Sequence, residues 1–185
     1  QDRLEKQMRH KIRLIEPGIS ESESRFELNV PAGIFVSPEH AWARIELNGI
    51  VRIGLDDLMR KVFGVIDRVE LPETGKMIGR GDTLFSVFYG DFRLEIPSPL
   101  SGKITAINSE HVEHPDWLPV KPIELSWMCG IEPSDLSGEL PEMRIGKDAI
   151  DWYRTELDRY SRLSGRSDEE VEPSTLLPGF SKPFL

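Results

Sequence analysis

The stretch with the greatest potential for chemistry is a predicted β-hairpin within residues 85–102. Two runs rich in aromatic and aliphatic residues, 84–89 and 92–96, flank the pair Gly90-Asp91. This pair suits the positive φ angles of a tight turn, so the hairpin tip is expected there. In many proteins such a tip carries a lysine whose amine bears a prosthetic group through an amide bond.

The tip of this hairpin lacks the amine that such chemistry needs. Asp91 occupies the tip, and no lysine lies between Lys76 and Lys103. A carboxylate cannot form the amide, and the Arg93 guanidinium stays protonated and non-nucleophilic. We therefore expect no cofactor on this hairpin, with Lys76 as the nearest fallback.

The hairpin also carries aromatic side chains that allow two interpretations. Phe88, Tyr89 and Phe92 are favoured as ordinary strand packing, because aromatic residues are common in strands. The alternative is an exposed apolar tip that docks on another protein. The candidate interaction residues at the tip are Phe88, Tyr89, Gly90, Asp91, Phe92 and Arg93.

Composition narrows the class of protein. The chain has 185 residues, of which 30% are charged and 38% hydrophobic, as in a soluble globular protein with one core. A net charge of −9 argues against nucleic acid as a partner of the folded part. The single cysteine, Cys129, excludes an internal disulfide framework and Cys-rich metal sites.

The pattern of elements favours a small β-sandwich or barrel. Strands recur at close spacing with turn residues between them, which is untypical of a parallel sheet. Asn48-Gly49 predicts a two-residue hairpin turn, and Asp56 and Gly64 are expected to cap a helix. The other predicted elements are strands at 65–71, 103–107 and 125–131, a surface loop at 108–124 and a helix at 146–163.

Both ends of the chain differ in composition from the middle. Residues 1–14 combine a helical apolar face with a formal charge of +3, which predicts a short surface or partner-packed helix. The alternative is a cationic segment beside a membrane anchor that precedes Gln1, which would place the chain on the cytoplasmic face of a membrane. Without such an anchor, the chain is expected in the cytoplasm. We divide the chain into a basic segment and linker (1–33), a folded domain (34–163) and an acidic, Pro-containing tail (164–185) that is disordered or a wandering arm.

Several blocks of the sequence, in one order, resemble the glycine cleavage system H protein family. Residues 37–42, Ser-Pro-Glu-His-Ala-Trp, resemble that family's Glu-His-x-Trp, and residues 64–72 resemble its Gly-Asp-Ile-x-x-Val-x-Leu-Pro. Residues 98–108 are similar to its Pro-Val-Ser-Gly-x-Val-x-x-x-Asn. The resemblance covers about residues 35 to 160, and matching blocks in a fixed order are more specific than any single motif.

The resemblance implies a mainly β, lipoyl-domain-like barrel-sandwich hybrid of two antiparallel sheets with a C-terminal helix. Family members are not enzymes. They carry a lipoyl group on a hairpin lysine and pass an aminomethyl intermediate between glycine decarboxylase, aminomethyltransferase and dihydrolipoyl dehydrogenase. That lysine lies eleven residues before the glycine of Pro-Val-Ser-Gly, and the equivalent position counted back from Gly102 is Asp91.

The remaining candidates are interpreted as structural. Glu39-His40 falls in the resemblance without a catalytic role, and Cys129 lies in an apolar run typical of a buried strand. No metal site is expected in the loop around His111 and His114, because no further His or Cys lies close in sequence. The acidic residues of that loop with loose ligand spacing are Glu110, Glu113 and Asp116.

The sequence thus predicts a non-catalytic, non-lipoylated H-like protein that acts as an interaction or assembly module for a protein partner. Two alternatives stay open. One is a lipoyl carrier that uses Lys76 or Lys103, and the other is a membrane-tethered accessory subunit.

Overall fold

The computed structural model describes residues 12–14, 26–28, 30–164 and 180–181. Thirteen strands and four α-helices lie in this part of the chain. The strands are β1 (Ile12–Leu14), β2 (Phe26–Leu28), β3 (Phe35–Val36), β4 (Ala41–Ile45), β5 (Val51–Leu55), β6 (Arg68–Glu70), β7 (Met77–Ile78), β8 (Thr83–Tyr89), β9 (Phe92–Pro97), β10 (Gly102–Ile107), β11 (Trp127–Pro133), β12 (Arg144–Ile145) and β13 (Phe180–Ser181). The helices are α1 (Asp57–Phe63), α2 (Glu110–Glu113), α3 (Leu136–Glu139) and α4 (Lys147–Ser164).

Two sheets form the body of the fold. One has seven strands in the order β12-β3-β4-β5-β11-β10-β7, and the other has four in the order β13-β9-β8-β6. All neighbours within these two sheets are antiparallel, as predicted. The chain passes from the four-stranded sheet to the seven-stranded one between β9 and β10, so the bend at residues 98–101 positions the β8–β9 hairpin.

The core lies among these sheets and the C-terminal helix. Trp42 and Ile53 of the large sheet, Phe85 of the small sheet and Tyr153 of α4 belong to one buried cluster. Burying each such side chain contributes about 1.5–3 kcal/mol, several times the value of a typical surface ion pair. Packing of apolar residues is therefore the main source of stability, and α4 is part of it.

The helix predicted after β5 is confirmed. Asp56 is the N-cap of α1, and its side chain accepts the Met59 backbone N–H at 2.9 Å. Gly64 is the C-cap, and its N–H donates to the Arg60 carbonyl at 3.2 Å. The order of cap, apolar face and stop residue was sufficient to place both ends of this helix.

The β4–β5 turn differs from its prediction. The Glu46 N–H donates to the Ile50 carbonyl at 2.8 Å, and the Gly49 N–H donates to the Glu46 carbonyl at 2.9 Å. The loop therefore has three residues, and Gly49, at a φ of +83°, follows a turn instead of forming its centre. The Asn48 side chain accepts the Ile50 N–H at 3.1 Å, which favours this longer loop.

Three other predictions are corrected. Residues 12–14 form a strand, not a helix, and pair in parallel with residues 26–28; residues 1–11 and 15–25 lie outside the described residues. The predicted loop at 108–124 contains the short helix α2. The tail was predicted to be disordered or a wandering arm, yet Phe180 and Ser181 pair with β9. Residues 165–179 and 182–185 are not among those described.

The helices of the described segments include none with the length and apolar character to span a bilayer.

Candidate functional site: the tip of the β8–β9 hairpin

The hairpin has the turn that its sequence predicts. Tyr89 pairs with Phe92, which leaves Gly90 and Asp91 as a two-residue connection. Gly90 has a φ of +52°, a backbone conformation that residues other than glycine rarely adopt. The geometry places the exposed Asp91 side chain at the far end of the hairpin.

A neighbouring segment fixes the tip. The Gly90 N–H donates to the Asp67 carboxylate at 2.6 Å, and the Asp67 N–H donates to the Phe88 carbonyl at 2.9 Å. Asp67 directly precedes β6, which pairs with β8. The tip is thus held from the side by the residue that directly precedes a strand of its own sheet.

The aromatic side chains at the tip are largely committed to packing. Phe88 is 8% exposed, and the guanidinium carbon of Arg68 lies 3.7 Å from the centre of its ring. Tyr89 and Phe92 are half-buried and pack against the core. Phe88 is therefore not an exposed apolar contact, and the docking role of the six tip residues stays a prediction.

Charged side chains cover the surface around the tip. Arg93 contacts two of the carboxylates: its guanidinium is 3.0 Å from Glu95 and 3.8 Å from Glu70, and it donates to the Ser86 hydroxyl at 3.2 Å. The charged groups that are exposed or half-buried here are Asp67, Arg68, Glu70, Asp91, Arg93 and Glu95. Four carboxylates against two guanidinium groups give this "tip surface" a formal charge of −2.

The residues at the tip do not fit the attachment of a lipoyl group. The tip presents a carboxylate, and residues 77–102 contain no lysine. Lys76 and Lys103 are both exposed, but they lie near the base of the hairpin, where Lys103 pairs with Met77. The six residues of β9 span about 20 Å at the usual rise of a strand, so neither lysine starts near Asp91.

A second polar cluster is buried under α4, and sequence reasoning identified only part of it. The Asp56 carboxylate is 2.8 Å from His40 Nδ1 and accepts the Tyr153 hydroxyl at 3.1 Å. A carboxylate only accepts hydrogen bonds, so Nδ1 carries the proton. Burial and the adjacent carboxylate raise the pKa of Tyr153 well above its ordinary value. The cluster joins the β4–β5 sheet to α4, and its three side chains are buried where no substrate reaches them, so its role is structural.

Two buried basic side chains, Arg60 and His111, lie at the loop that follows β10. Arg60 is 1% exposed and donates through Nε to the Leu118 carbonyl at 2.6 Å and through Nη2 to the Lys121 carbonyl. His111 is fully buried, and neither ring nitrogen makes a hydrogen bond of good geometry. In the described residues no three His, Cys, Asp or Glu side chains are grouped as metal ligands. His114 instead stacks on Trp117, with ring centres 4.1 Å apart.

We expect the stability of the protein to fall below pH 6.5 because of His111. Burial, the largest cause, together with Lys121 and Arg60, lowers the pKa of this imidazole, against smaller opposing effects of Leu125 and Glu110. The unfolded chain then binds a proton that the folded chain does not, so stability decreases as the pH falls from the unfolded pKa toward the folded one. The decrease is up to about 1.4 kcal/mol per pH unit in that window.

Urea unfolding from pH 7.5 to 5 would measure this effect, with His111→Leu as the control. The wild type should lose stability relative to the variant below pH 6.5. Parallel curves for the two proteins would contradict the assignment to His111.

Cys129 is expected to be unreactive in the folded protein. Its thiol is free and fully buried, and burial raises its pKa to about 12. At pH 8 roughly one thiol in ten thousand would be ionised, and the thiolate is the nucleophile. An aromatic disulfide reagent should therefore titrate one thiol only after denaturant is added. Rapid labelling of the native protein would show that the β11 strand opens.

The chain is similar in sequence and in fold to known proteins. The model of the family "Glycine cleavage H-protein" matches residues 35–150. A probable glycine cleavage system H protein of Pyrococcus furiosus is 31% identical over 129 residues, which are 70% of this chain and 96% of the relative. A glycine cleavage system H protein of Anoxybacillus flavithermus is 38% identical over 110 residues, or 60% and 86% of the two chains. The crystal structure of such a protein from Mycobacterium marinum superposes with a TM-score of 0.59 at 21% identity, covering 68% of this chain and 99% of that one.

These matches correct one prediction. We expected no cofactor, yet the chain matches a family of lipoyl-carrying H proteins over most of its described length, so that expectation is wrong. The error came from treating Asp91 as the only informative position. The chemistry of Asp91 bears on where an acyl group can be attached, and it does not bear on whether the chain carries one.

Proposed function

The chain belongs to the glycine cleavage H-protein family, and we propose that it is a non-catalytic module of that family that docks on a protein partner through the tip surface. The observation that carries the proposal is the fixed backbone of the tip. A hydrogen bond from the Gly90 N–H to the Asp67 carboxylate holds the turn, and the surface around it carries carboxylates and guanidinium groups but no amine. Preorganised surfaces of this kind lose little entropy on binding.

The charge of the tip surface indicates the chemistry of the partner. A formal charge of −2 complements a basic surface. Such complementarity raises the association rate more than it raises the affinity of the complex. The candidate partners that family membership suggests are the glycine decarboxylase, aminomethyltransferase and dihydrolipoyl dehydrogenase of the same organism.

Replacing Asp91 with arginine tests the proposal. Asp91→Arg brings the formal charge of the tip surface from −2 to zero, so the association rate with the cognate partner should fall about tenfold at low salt. Surface plasmon resonance with each of the three enzymes, at two salt concentrations, measures this rate.

The matched control is Glu73→Arg, which makes the same change of charge in an exposed loop. β6 runs antiparallel to β8, so the chain leads away from the tip after Glu70 and reaches Glu73 on the way to the hairpin base. The proposal fails if none of the three enzymes binds, or if the two variants slow association equally.

The second candidate function is a lipoyl carrier that uses Lys76 or Lys103. Its support is that both lysines are exposed and lie on adjacent segments beside the β7–β10 pair. Peptide mapping after expression in a lipoylation-competent host tests it. A lipoyl group on either lysine favours this carrier, and two unmodified lysines would exclude it.

A further inference from the structure

The outer edge of the hairpin sheet is occupied by the chain's own C-terminal segment. β13 is the terminal strand of the order β13-β9-β8-β6 and runs antiparallel to β9. Phe180 pairs with Leu94, and Ser181 pairs with Arg93. Without β13, β9 would be an edge strand with a row of unpaired backbone N–H and C=O groups.

This edge lies directly beside the tip surface. Arg93 is two residues from Asp91, and its side chain contacts Glu70 and Glu95 of the tip surface. Any segment that pairs with Arg93 and Leu94 therefore lies against the region assigned to docking. An extended peptide that adds to an exposed strand is a common mode of recognition, in which main-chain hydrogen bonds provide the affinity.

We propose that the β9 edge is a docking site for an extended polypeptide segment, and that the C-terminal segment of this chain is its resident occupant. Two residues of the segment pair with β9 in the part of the chain that the structure describes, and each backbone hydrogen bond contributes about 0.5–1.5 kcal/mol net. The intrinsic affinity of the segment for the edge is consequently low.

The covalent connection between α4 and the C-terminal segment makes occupancy of the β9 edge possible in spite of this low affinity. Fifteen residues, 165–179, join the end of α4 at Ser164 to Phe180. Joining a segment covalently to its binding site over such a length of chain gives it an effective concentration in the millimolar range. A weak strand held in this way covers the edge in the free protein, and a strand supplied by another protein can displace it.

The role of a displacing partner rests on the proposed docking function, whereas occupancy by the chain's own segment does not. The test therefore uses no partner enzyme, and its failure would leave the tip-surface experiment unaffected. It compares the full-length wild type with the full-length variant Phe180→Pro/Ser181→Pro. Proline has no N–H and cannot join the ladder, so this variant removes the pairing with Leu94 and Arg93.

Two measurements decide the question. In hydrogen exchange, the backbone N–H group of the Arg93–Leu94 pair that faces β13 should exchange at least tenfold faster in the variant than in the wild type. A fluorescent peptide with the sequence of residues 175–185 should bind the variant at least tenfold more tightly, because the resident segment no longer competes. The control Arg166→Pro/Ser167→Pro places the same prolines in the connecting segment and should behave as the wild type. Unchanged exchange in β9, or equal peptide affinity, would overturn the proposal.

Discussion

Replacing Asp56 with alanine is expected to lower the free energy of unfolding by about 4 kcal/mol. The Asp56 side chain is fully buried and accepts hydrogen bonds from the Met59 backbone, His40 and Tyr153. Its removal deletes the N-cap of α1, which is worth about 1 kcal/mol. It also leaves the imidazole and the phenol buried without their partner, at a cost of about 1–3 kcal/mol for each unsatisfied group.

Chemical denaturation measures this loss, and two variants calibrate it. Tyr153→Phe removes only one donor, so it should cost about 1 kcal/mol. Asp91→Ala changes an exposed carboxylate at the hairpin tip and should stay within about 0.5 kcal/mol of the wild type. If Asp56→Ala lost no more stability than Asp91→Ala, the buried cluster would not be what joins α4 to the sheet.

The second large effect is expected at Gly102, where the chain enters β10 from the bend after the hairpin. A Cβ atom there would lie 2.2 Å from the Glu132 carbonyl oxygen and 2.7 Å from Ile131 Cγ2. The oxygen belongs to the backbone of the paired strand β11, so it cannot move without disturbing the ladder. We expect Gly102→Ala to destabilise the protein by about 3 kcal/mol.

Gly130→Ala provides a matched comparison on the same pair of strands. A Cβ at Gly130 would meet side-chain atoms only, the nearest being Ile50 Cγ2 at 3.3 Å. A shift of a few tenths of an ångström accommodates this contact, so the cost should be about 1 kcal/mol. Thermal unfolding of both variants distinguishes the two cases. Equal stabilities would mean that β10 and β11 separate more readily than their geometry indicates.

The sequence was sufficient for features that depend on near neighbours. Gly90-Asp91 predicted the hairpin tip, and Asp56 with Gly64 predicted both ends of α1, because turns and caps are decided within four residues. It was insufficient for the three-residue β4–β5 loop, in which Asn48 bonds to the Ile50 N–H and shifts the turn by one position. It also misjudged residues 12–14, since the apolar residues of so short a segment fit helix and strand patterns equally well.

The buried polar contacts could not be predicted, because their partners are far apart in sequence. Asp56 meets His40 across 16 positions and Tyr153 across 97, and Arg60 reaches the Leu118 carbonyl across 58. The pairing of Phe180 and Ser181 with β9 also joins residues that are far apart in the sequence. The composition of the tail gave no indication of where it would lie. One signal was available in the sequence: Tyr153 and Leu157 are four residues apart, as on one face of a helix, and both side chains of α4 are buried.

The hairpin tip is the surface proposed to meet a partner. Site-specific photo-crosslinking tests it most directly, with p-benzoylphenylalanine in place of Asp91 in one sample and in place of Leu47 in another. Leu47 is fully exposed in the loop of the β4–β5 hairpin, so it reports on the seven-stranded sheet. Illumination with the glycine-cleavage enzymes should give a covalent adduct from position 91 and none from position 47. Adducts from position 47 alone would contradict the account.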